Sequence, residues 1–409
     1  MINILWVFMF LSALMVALYN LVFFQSFDTF NALTESIFKN AQAAVEISIG
    51  LIGILSFWLG ILKLIEESGI ARKLSEKLSP LFKVIMRDVP ESSPAISTIV
   101  LNMAANFLGL DNAATPMGLK AMEQLQMHNP KKDEASDAQI LFMIINASSV
   151  TLIPITIFMY RAQLGATHPT SVFIPILLAT SVSTLTGFIC VAIKQKISLR
   201  NPILLKIFTA FLFILIALIS LFCCLGYQQK LTLSSGLGNL VLFGLICYVV
   251  YICQKQKIHC YEAFVDGAKE GFNVAIRIIP YLLAMLVAVG VFRASGILDV
   301  LMDGIKYLCS LVHVDARFVD ALPTAFMKPF SGSGARAMMI ETMQNFGPDS
   351  FAAFLSSIIQ GSTETTFYVL TVYFGAINIS KTRYALKYAL ISDFAGIIAA
   401  ILLAYLFYV

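Results

Sequence analysis

Asn146-Ala147-Ser148-Ser149-Val150-Thr151 and Gln360-Gly361-Ser362-Thr363-Glu364-Thr365 are two polar hexapeptides, each set inside an apolar run long enough to cross ~30 Å of hydrocarbon. They hold the same place in a longer pattern. Ser68-Gly69-Ile70 recurs as Ser295-Gly296-Ile297, and Ala121-Met122-Glu123 closes a Gly/Asn/Thr-rich stretch as Ile340-Glu341-Thr342 does later. A doubled membrane unit with polar interruptions is how many carriers build a site near mid-bilayer. Solute movement is therefore the first hypothesis. The expected fold is an all-α polytopic membrane protein built from two repeats.

Composition supports that reading. Hydrophobic residues fill 58% of the 409 positions and charged residues 13%, with a mean hydropathy of +0.83. A soluble domain is closer to about 45–50% apolar and about 25% charged. Stretches 2–27, 138–160, 171–193, 207–229 and 231–254 carry no formal charge. The first has neither a basic n-region nor a convincing cleavage site, so a retained span is expected. The net charge of +4 is spread over loops, which does not suit nucleic-acid binding. Seven cysteines without a CxxC and four scattered histidines suggest neither a disulfide framework nor a metal site.

Basic residues tend to stay on the cytoplasmic side. Segment 66–89 places Ile70, Leu74, Leu78, Leu81 and Ile85 on one helical face and carries five basic residues, as a helix lying on the inner surface would. The basic loops near 194–202, 255–271 and 375–387 join it on that side; the loops 161–170 and 227–230 suit the other. Pro90–Pro116 and Ala321–Arg336 are too rich in Pro, Gly and polar residues to cross as plain spans and read as re-entrant hairpins. Nine spans are then expected: 4–26, 44–65, 138–160, 171–193, 203–226, 232–253, 272–293, 352–374 and 385–408. The N-terminus falls inside, the two repeats are inverted, and the chain divides into 1–199 and 200–409.

Three groups of residues carry the candidate chemistry. Asn102 and Asn106, four apart, present both amides on one helical face, and Asp111-Asn112 follows a bend at Gly109. Ser331, Ser333 and Arg336 lie in a Gly/Ser-rich turn after Lys328, where a helix starting near Gly334 favours an anion or electron-rich group. Ser362, Thr363 and Glu364 lie within a span, matched by Asn146, Ser148 and Ser149 without a carboxylate. A carboxylate at that depth costs ~2.5–3.5 kcal/mol on insertion scales, so Glu364 is expected to face a partner, an ion or water. Interhelical hydrogen bonding is the structural alternative for all three groups. Glu46, Arg277 and Asp393 sit toward span ends, where snorkelling or a pair such as Arg277 with a carboxylate accounts for them; a site role is the alternative for Asp393, which Phe394-Ala395-Gly396 follows.

The run Leu101-Asn102-Met103-Ala104-Ala105-Asn106-Phe107-Leu108-Gly109-Leu110-Asp111-Asn112-Ala113-Ala114-Thr115-Pro116 makes residues 1 to about 195 resemble the spore maturation protein A family. Ile278-Ile279-Pro280-Tyr281, Arg293-Ala294-Ser295-Gly296, Ser331–Arg336 and Gln360–Tyr368 make residues from about 235 to 409 resemble the spore maturation protein B family. Both belong to the nucleoside recognition, or Gate, group, which is similar to parts of concentrative nucleoside transporters and of ferrous iron permeases. The resemblance implies a bacterial inner-membrane protein with a transporter-like core. The expected partners are membrane lipid, a small polar solute (nucleoside-like or anionic) and a coupling proton or cation. Cofactors and metals are not expected, and homo-oligomerisation is left open. With no His-based dyad at usable spacing, an enzyme is not expected; the competing reading is a membrane factor that scaffolds an envelope or spore-maturation complex without transporting.

Overall fold

The Ser-Gly-Ile signature is one local structure used twice. Gly69 and Gly296 take φ of +64° and +79°, a conformation that favours glycine. Ser68 Oγ donates to Ile65 O and Ser295 Oγ to Phe292 O, at 2.8 and 2.7 Å. The chain leaves each glycine in a new helix that starts at the isoleucine.

The computed structural model describes residues 2–90, 93–107, 111–148, 151–198 and 201–408. Among these the regular elements are helices. After α1 (Ile2–Phe24), α2 (Asp28–Gly50) and α3 (Ile52–Glu67) form a pair bent by 41°. From Gly69 the chain runs through α4 (Ile70–Ile85), the hairpin α5 (Pro94–Phe107) and α6 (Asp111–His128), the interrupted pair α7 (Asp137–Ser148) and α8 (Ile155–Gln163), and the long α9 (Phe173–Lys194). Two long helices, α10 (Pro202–Cys223) and α11 (Tyr227–Lys255), lead to α12 (Cys260–Ala294). From Gly296 the same order returns: α13 (Ile297–Leu311), the hairpin α14 (Leu322–Met327) and α15 (Gly332–Phe346), the interrupted pair α16 (Phe351–Ser362) and α17 (Thr366–Ala376), and the long α18 (Ala385–Tyr408).

Six described helices are long and apolar enough to cross a membrane, and the bent α2–α3 pair makes a seventh. The chain is a multi-pass all-α membrane protein. The other two of the nine expected spans, 138–160 and 352–374, are not continuous: each breaks at its hexapeptide. Pro154 lacks an N–H and its ring clashes with the preceding turn, and Thr363 and Thr365 adopt extended backbone. The expected start of α15 also moves, from Gly334 to Gly332, because Ser331 caps it by accepting from Gly334 N at 3.0 Å.

Lipid gives helices no hydrophobic reason to associate, so close approach through small residues holds them. At α3–α12, an added Cβ on Gly267 or Gly271 would fall 2.6 Å from Leu59 O or 2.5 Å from Ser56 N. At α9–α18 the pattern is reciprocal. Ser183 Oγ donates to Ser392 O at 3.0 Å and Ser392 Oγ to Ser183 O at 2.6 Å. Four residues on from each serine, a Cβ on Gly187 would meet Ser392, and one on Gly396 would meet Ser183. These pairings make α9 and α18 antiparallel.

Loops from the two halves are tied at each end of the bundle. At one end Lys381 Nζ donates to Asp133 Oδ2 at 2.7 Å, Ala135 N donates to Lys381 O at 3.0 Å, and Arg383 pairs with Asp137 at 2.8 Å. Gln195 joins the same end through Asp137 O and the Tyr384 hydroxyl. At the other end Thr167 donates its N–H and hydroxyl to Asp349 Oδ2, at 2.9 and 2.6 Å, and Tyr408 donates to Asp349 O. The first end carries Lys131, Lys132, Lys194, Lys196, Lys381 and Arg383, as the expected cytoplasmic side would. The hydrogen bond from Lys381, and then its charge, hold Asp133 below the usual carboxylate range, while Asp133 raises Lys381. Asp133 therefore contributes above its unfolded value of about 3.9 and loses that contribution as pH falls through its lowered folded value. Lys381 contributes below about 10.4 and loses its share as pH rises past its raised folded value. This latch is accordingly flat across neutral pH and loosened by salt.

Overpacking the reciprocal crossing gives a direct check. Gly396→Leu should destabilise the protein by about 1–3 kcal/mol, seen as a lower unfolding temperature in detergent. Gly53→Leu, at a position with open space around it, should change that temperature little.

Candidate functional site

Interrupting a helix at membrane depth frees backbone donors and acceptors that must be satisfied by protein or water. The two breaks satisfy each other. Glu364 N, in the α16–α17 break, donates to Ala147 O at the end of α7 at 2.8 Å. Ser148 O accepts the hydroxyls of Thr180 and Thr184, both at 3.3 Å. At the end of α16, Gln360 O accepts Lys328 Nζ at 2.7 Å, and Phe367 N donates to Pro329 O at 3.0 Å. The hairpin turn 328–331 is thereby tied to the break on both sides.

An amide cluster joins the first hairpin to both broken helices. Asn106 Nδ2 and the Tyr373 hydroxyl both donate to Asn146 Oδ1, at 2.9 and 3.2 Å. Asn146 Nδ2 returns to Phe142 O at 2.9 Å. Asn102 Nδ2 donates to Ala114 O at 2.7 Å and so pins α5 to α6.

A cavity of about 440 Å³ opens between these parts. The first half lines it with Asn106, Thr115, Asn146, Thr151 and Thr156; the second with Lys328, Arg336, Gln360, Thr363 and Glu364. Tyr160, Tyr368 and Tyr373 complete the wall. The first turns of α8, α15 and α17 all reach it, through Thr156, Gly332 and Tyr368, and Thr115 brings α6 to it near its start. N-terminal helix ends carry partial positive charge, and Lys328 and Arg336 add to it. The Arg336 guanidinium lies 5.6 Å from the centre of the Tyr160 ring, and its Nε is buried without a hydrogen-bond partner. Gln360 Oε1 is likewise buried and unpartnered. Thr363 Oγ1 is a third wall atom buried without a partner, so a donor, an amide acceptor and a hydroxyl are left open in the wall.

The structure divides the expected site residues. Asn106, Asn146, Arg336, Thr363 and Glu364 meet at the cavity, and Glu364 is exposed there. Asn102 stands one layer behind. Ser148 and Ser362 turn back to Ile145 O and Ile359 O. Ser331 is the α15 cap and pairs with Ser333 at 3.2 Å, so these four hydroxyls brace the frame rather than line the cavity. Asp111 and Asn112 lie on the first turn of α6 but their side chains fall outside the described residues, as does Ser149 entirely; the side chain of Arg277 does too. Asp393 departs most from expectation. It is only 2% exposed and accepts the Thr366 hydroxyl at 2.7 Å, well inside the bundle rather than snorkelling. Tyr160, Tyr368 and Tyr373 carry no sequence signal as site residues, because aromatic residues in a membrane segment look apolar; Gln360 opens the second polar hexapeptide without standing out from it as a site residue.

Comparison with known proteins then adds the following. The family model described as nucleoside recognition (Gate) matches residues 48–167 and 275–380, together more than half of the chain. Spore maturation protein B of Bacillus subtilis (strain 168) is 43% identical over 176 residues, 43% of this chain and 95% of that protein. Spore maturation protein A of the same organism is 39% identical over 189 residues, 46% of this chain and 93% of that protein. No solved structure matches.

The amide cluster predicts an order of effects. Tyr373→Phe removes one donor and should cost about 1 kcal/mol. Asn146→Ala takes the acceptor from both Asn106 and Tyr373, leaving them only long contacts with Asn102 at 3.4 and 3.5 Å, and should cost about 2–4 kcal/mol. A double-mutant cycle read by thermal unfolding should show strong coupling between the two positions.

Proposed function

The chain belongs to the nucleoside recognition (Gate) family, and from that premise we propose that it is a bacterial plasma-membrane carrier of a small polar solute. The observation that carries the reading is the cavity between the two helix breaks. A cavity between crossed, interrupted helices, with buried polar groups left open in its wall, suits a solute; a scaffold has no use for such groups. Tyr160, Tyr368 and Tyr373 offer ring faces to a base-like group. Asn106, Asn146 and Gln360 offer amides to hydroxyls. Arg336, Lys328 and the helix N-termini favour an electron-rich or anionic group. A nucleoside-like or anionic solute fits that lining.

The antiparallel α9 and α18, with the same helix order on either side, support inverted repeats. Such repeats supply two equivalent arrangements, one open to each face, and alternating access is rocking between them. The loop ties at the two ends are then the two gates: Asp133 with Lys381 toward the basic cytoplasmic side, and Thr167 with Asp349 toward the outside.

Two experiments test this. In a cysteine-free background, Thr156→Cys should react with a small maleimide from one side of the membrane and be protected by a bound nucleoside. In reconstituted vesicles, a disulfide from Asp133→Cys with Lys381→Cys, or from Thr167→Cys with Asp349→Cys, should stop solute exchange, and reduction should restore it. A position inert from both sides, together with biological activity that persists in both cross-linked forms, would favour the non-transporting scaffold.

A further inference from the structure

Beside the cavity, on the far side of Thr363, lies a second set of oxygens that the solute does not need. Asp393 sits on α18 next to Ser392 of the reciprocal crossing, 2% exposed. Its Oδ2 accepts the hydroxyl of Thr366, the first residue of α17, at 2.7 Å. Its Oδ1 is buried and has no hydrogen-bond partner. Thr363 is 3% exposed, and its Oγ1 is likewise buried without a partner. The two groups are neighbours. Thr363 acts on the Asp393 carboxylate, and its methyl packs where a Cβ on Gly396, one turn along from Asp393, would come within 2.9 Å. The Thr363 hydroxyl is thus within reach of the Asp393 carboxylate, with no hydrogen bond of good geometry between them. The break also releases backbone carbonyls at the end of α16.

We propose that Asp393 and Thr363, with the backbone of the α16–α17 break, form a binding site for a small monovalent metal cation of sodium type. The site rests on the carrier reading and gives that carrier its coupling ion. The charges favour one positive unit. The charged groups acting on Asp393 are Lys328 and Glu364. From α9 the facing groups are the hydroxyl of Ser183 and its neighbours, without charge. Lys328 gives its hydrogen bond to Gln360 O, and among the described residues no ion pair joins it to either carboxylate. Two carboxylates therefore share one ammonium. A divalent ion is disfavoured, since it takes six or more oxygens, usually from several carboxylates, and Lys328 would repel it. A proton on Asp393 is the competing occupant, and the test below separates the two. Thr363 lines the cavity as well, so a cation here would bear on the solute through a single residue.

The test uses purified full-length protein and sodium as the probe, read by thermal unfolding rather than by flux. Replacing choline chloride by sodium chloride at constant ionic strength should raise the unfolding temperature of the wild type by about 3–5 °C at saturation. Asp393→Asn should raise the apparent Kd for sodium at least about tenfold, Thr363→Val should lose most of the response, and Thr363→Ser should keep it. If Asp393→Asn fails to fold, the two Thr363 variants decide. The site is overturned if the wild type ignores sodium, if Thr363→Val responds like the wild type, or if stabilisation follows falling pH in choline instead, which would assign a proton. Sodium binding in a protein that passes neither the labelling nor the cross-linking test would leave the site standing and remove the carrier, so the two readings fail separately.

Discussion

Peptide groups at membrane depth have no water to turn to, and two interrupted helices meet that demand by using one another. Glu364 N–H finds the carbonyl of Ala147, and the lysine of the second hairpin finds the carbonyl of Gln360. Neither break is satisfied by its own half alone. The consequence is geometric. The breaks must lie together, so the side chains that follow each of them face one shared space. The cavity results from backbone satisfaction before any side chain is chosen to bind a solute.

What holds the breaks in register is the α9–α18 crossing. Two serines exchange hydrogen bonds with each other's carbonyls, and two glycines one turn away let the helices approach. A contact of this kind is short-ranged and stiff, because small side chains have no alternative rotamers to absorb a shift. The ties at the two ends differ in character. They are hydrogen bonds and ion pairs between loop side chains, partly solvated and individually weak. The molecule therefore has a firm centre and releasable ends, the mechanical arrangement that rocking about a fixed site needs.

Much of this was legible in the sequence, for physical reasons. Charge-free runs reveal spans because lipid excludes charge, and the recurrence of Ser-Gly-Ile marked the doubled order because a positive φ admits few residues. The hexapeptides were visible as polar text in apolar surroundings. Hydropathy alone makes 138–160 and 352–374 whole spans, since it averages over a break that Pro154 and the extended Thr363 create locally. Direction was the other gap. Ser148, Ser362 and Asn102 look like Asn106 and Thr363 in a string of letters, and only the helical phase around the break turns the first three to the backbone. Ser183-Thr184-Leu185-Thr186-Gly187 and Ser392-Asp393-Phe394-Ala395-Gly396 share a Ser-x-x-x-Gly spacing that could have located the crossing, and with it the depth of Asp393.

Lys328 shows why the site is more than a satisfied frame. A lysine near the centre of a spanning region costs ~2.5–3.5 kcal/mol on insertion scales, and its one described hydrogen bond, to a carbonyl, could have been supplied by a neutral donor. Its charge matters only against other charges. Lys328 and Arg336 stand against Glu364 and Asp393, two against two, in a region that can screen none of them well. Around Asp393 itself the charged neighbours are only Lys328 and Glu364, which leaves that corner one negative charge in excess. In the proposed carrier, a solute bearing a negative group, drawn to Arg336 and the helix N-termini, would leave the cluster shorter of positive charge, and the oxygens of Asp393 and Thr363 are where the proposed cation would make it up. A neutral solute imposes no such demand. The charge of the solute and the need for a companion ion are therefore one question, and the arrangement of these four side chains ties the two answers together.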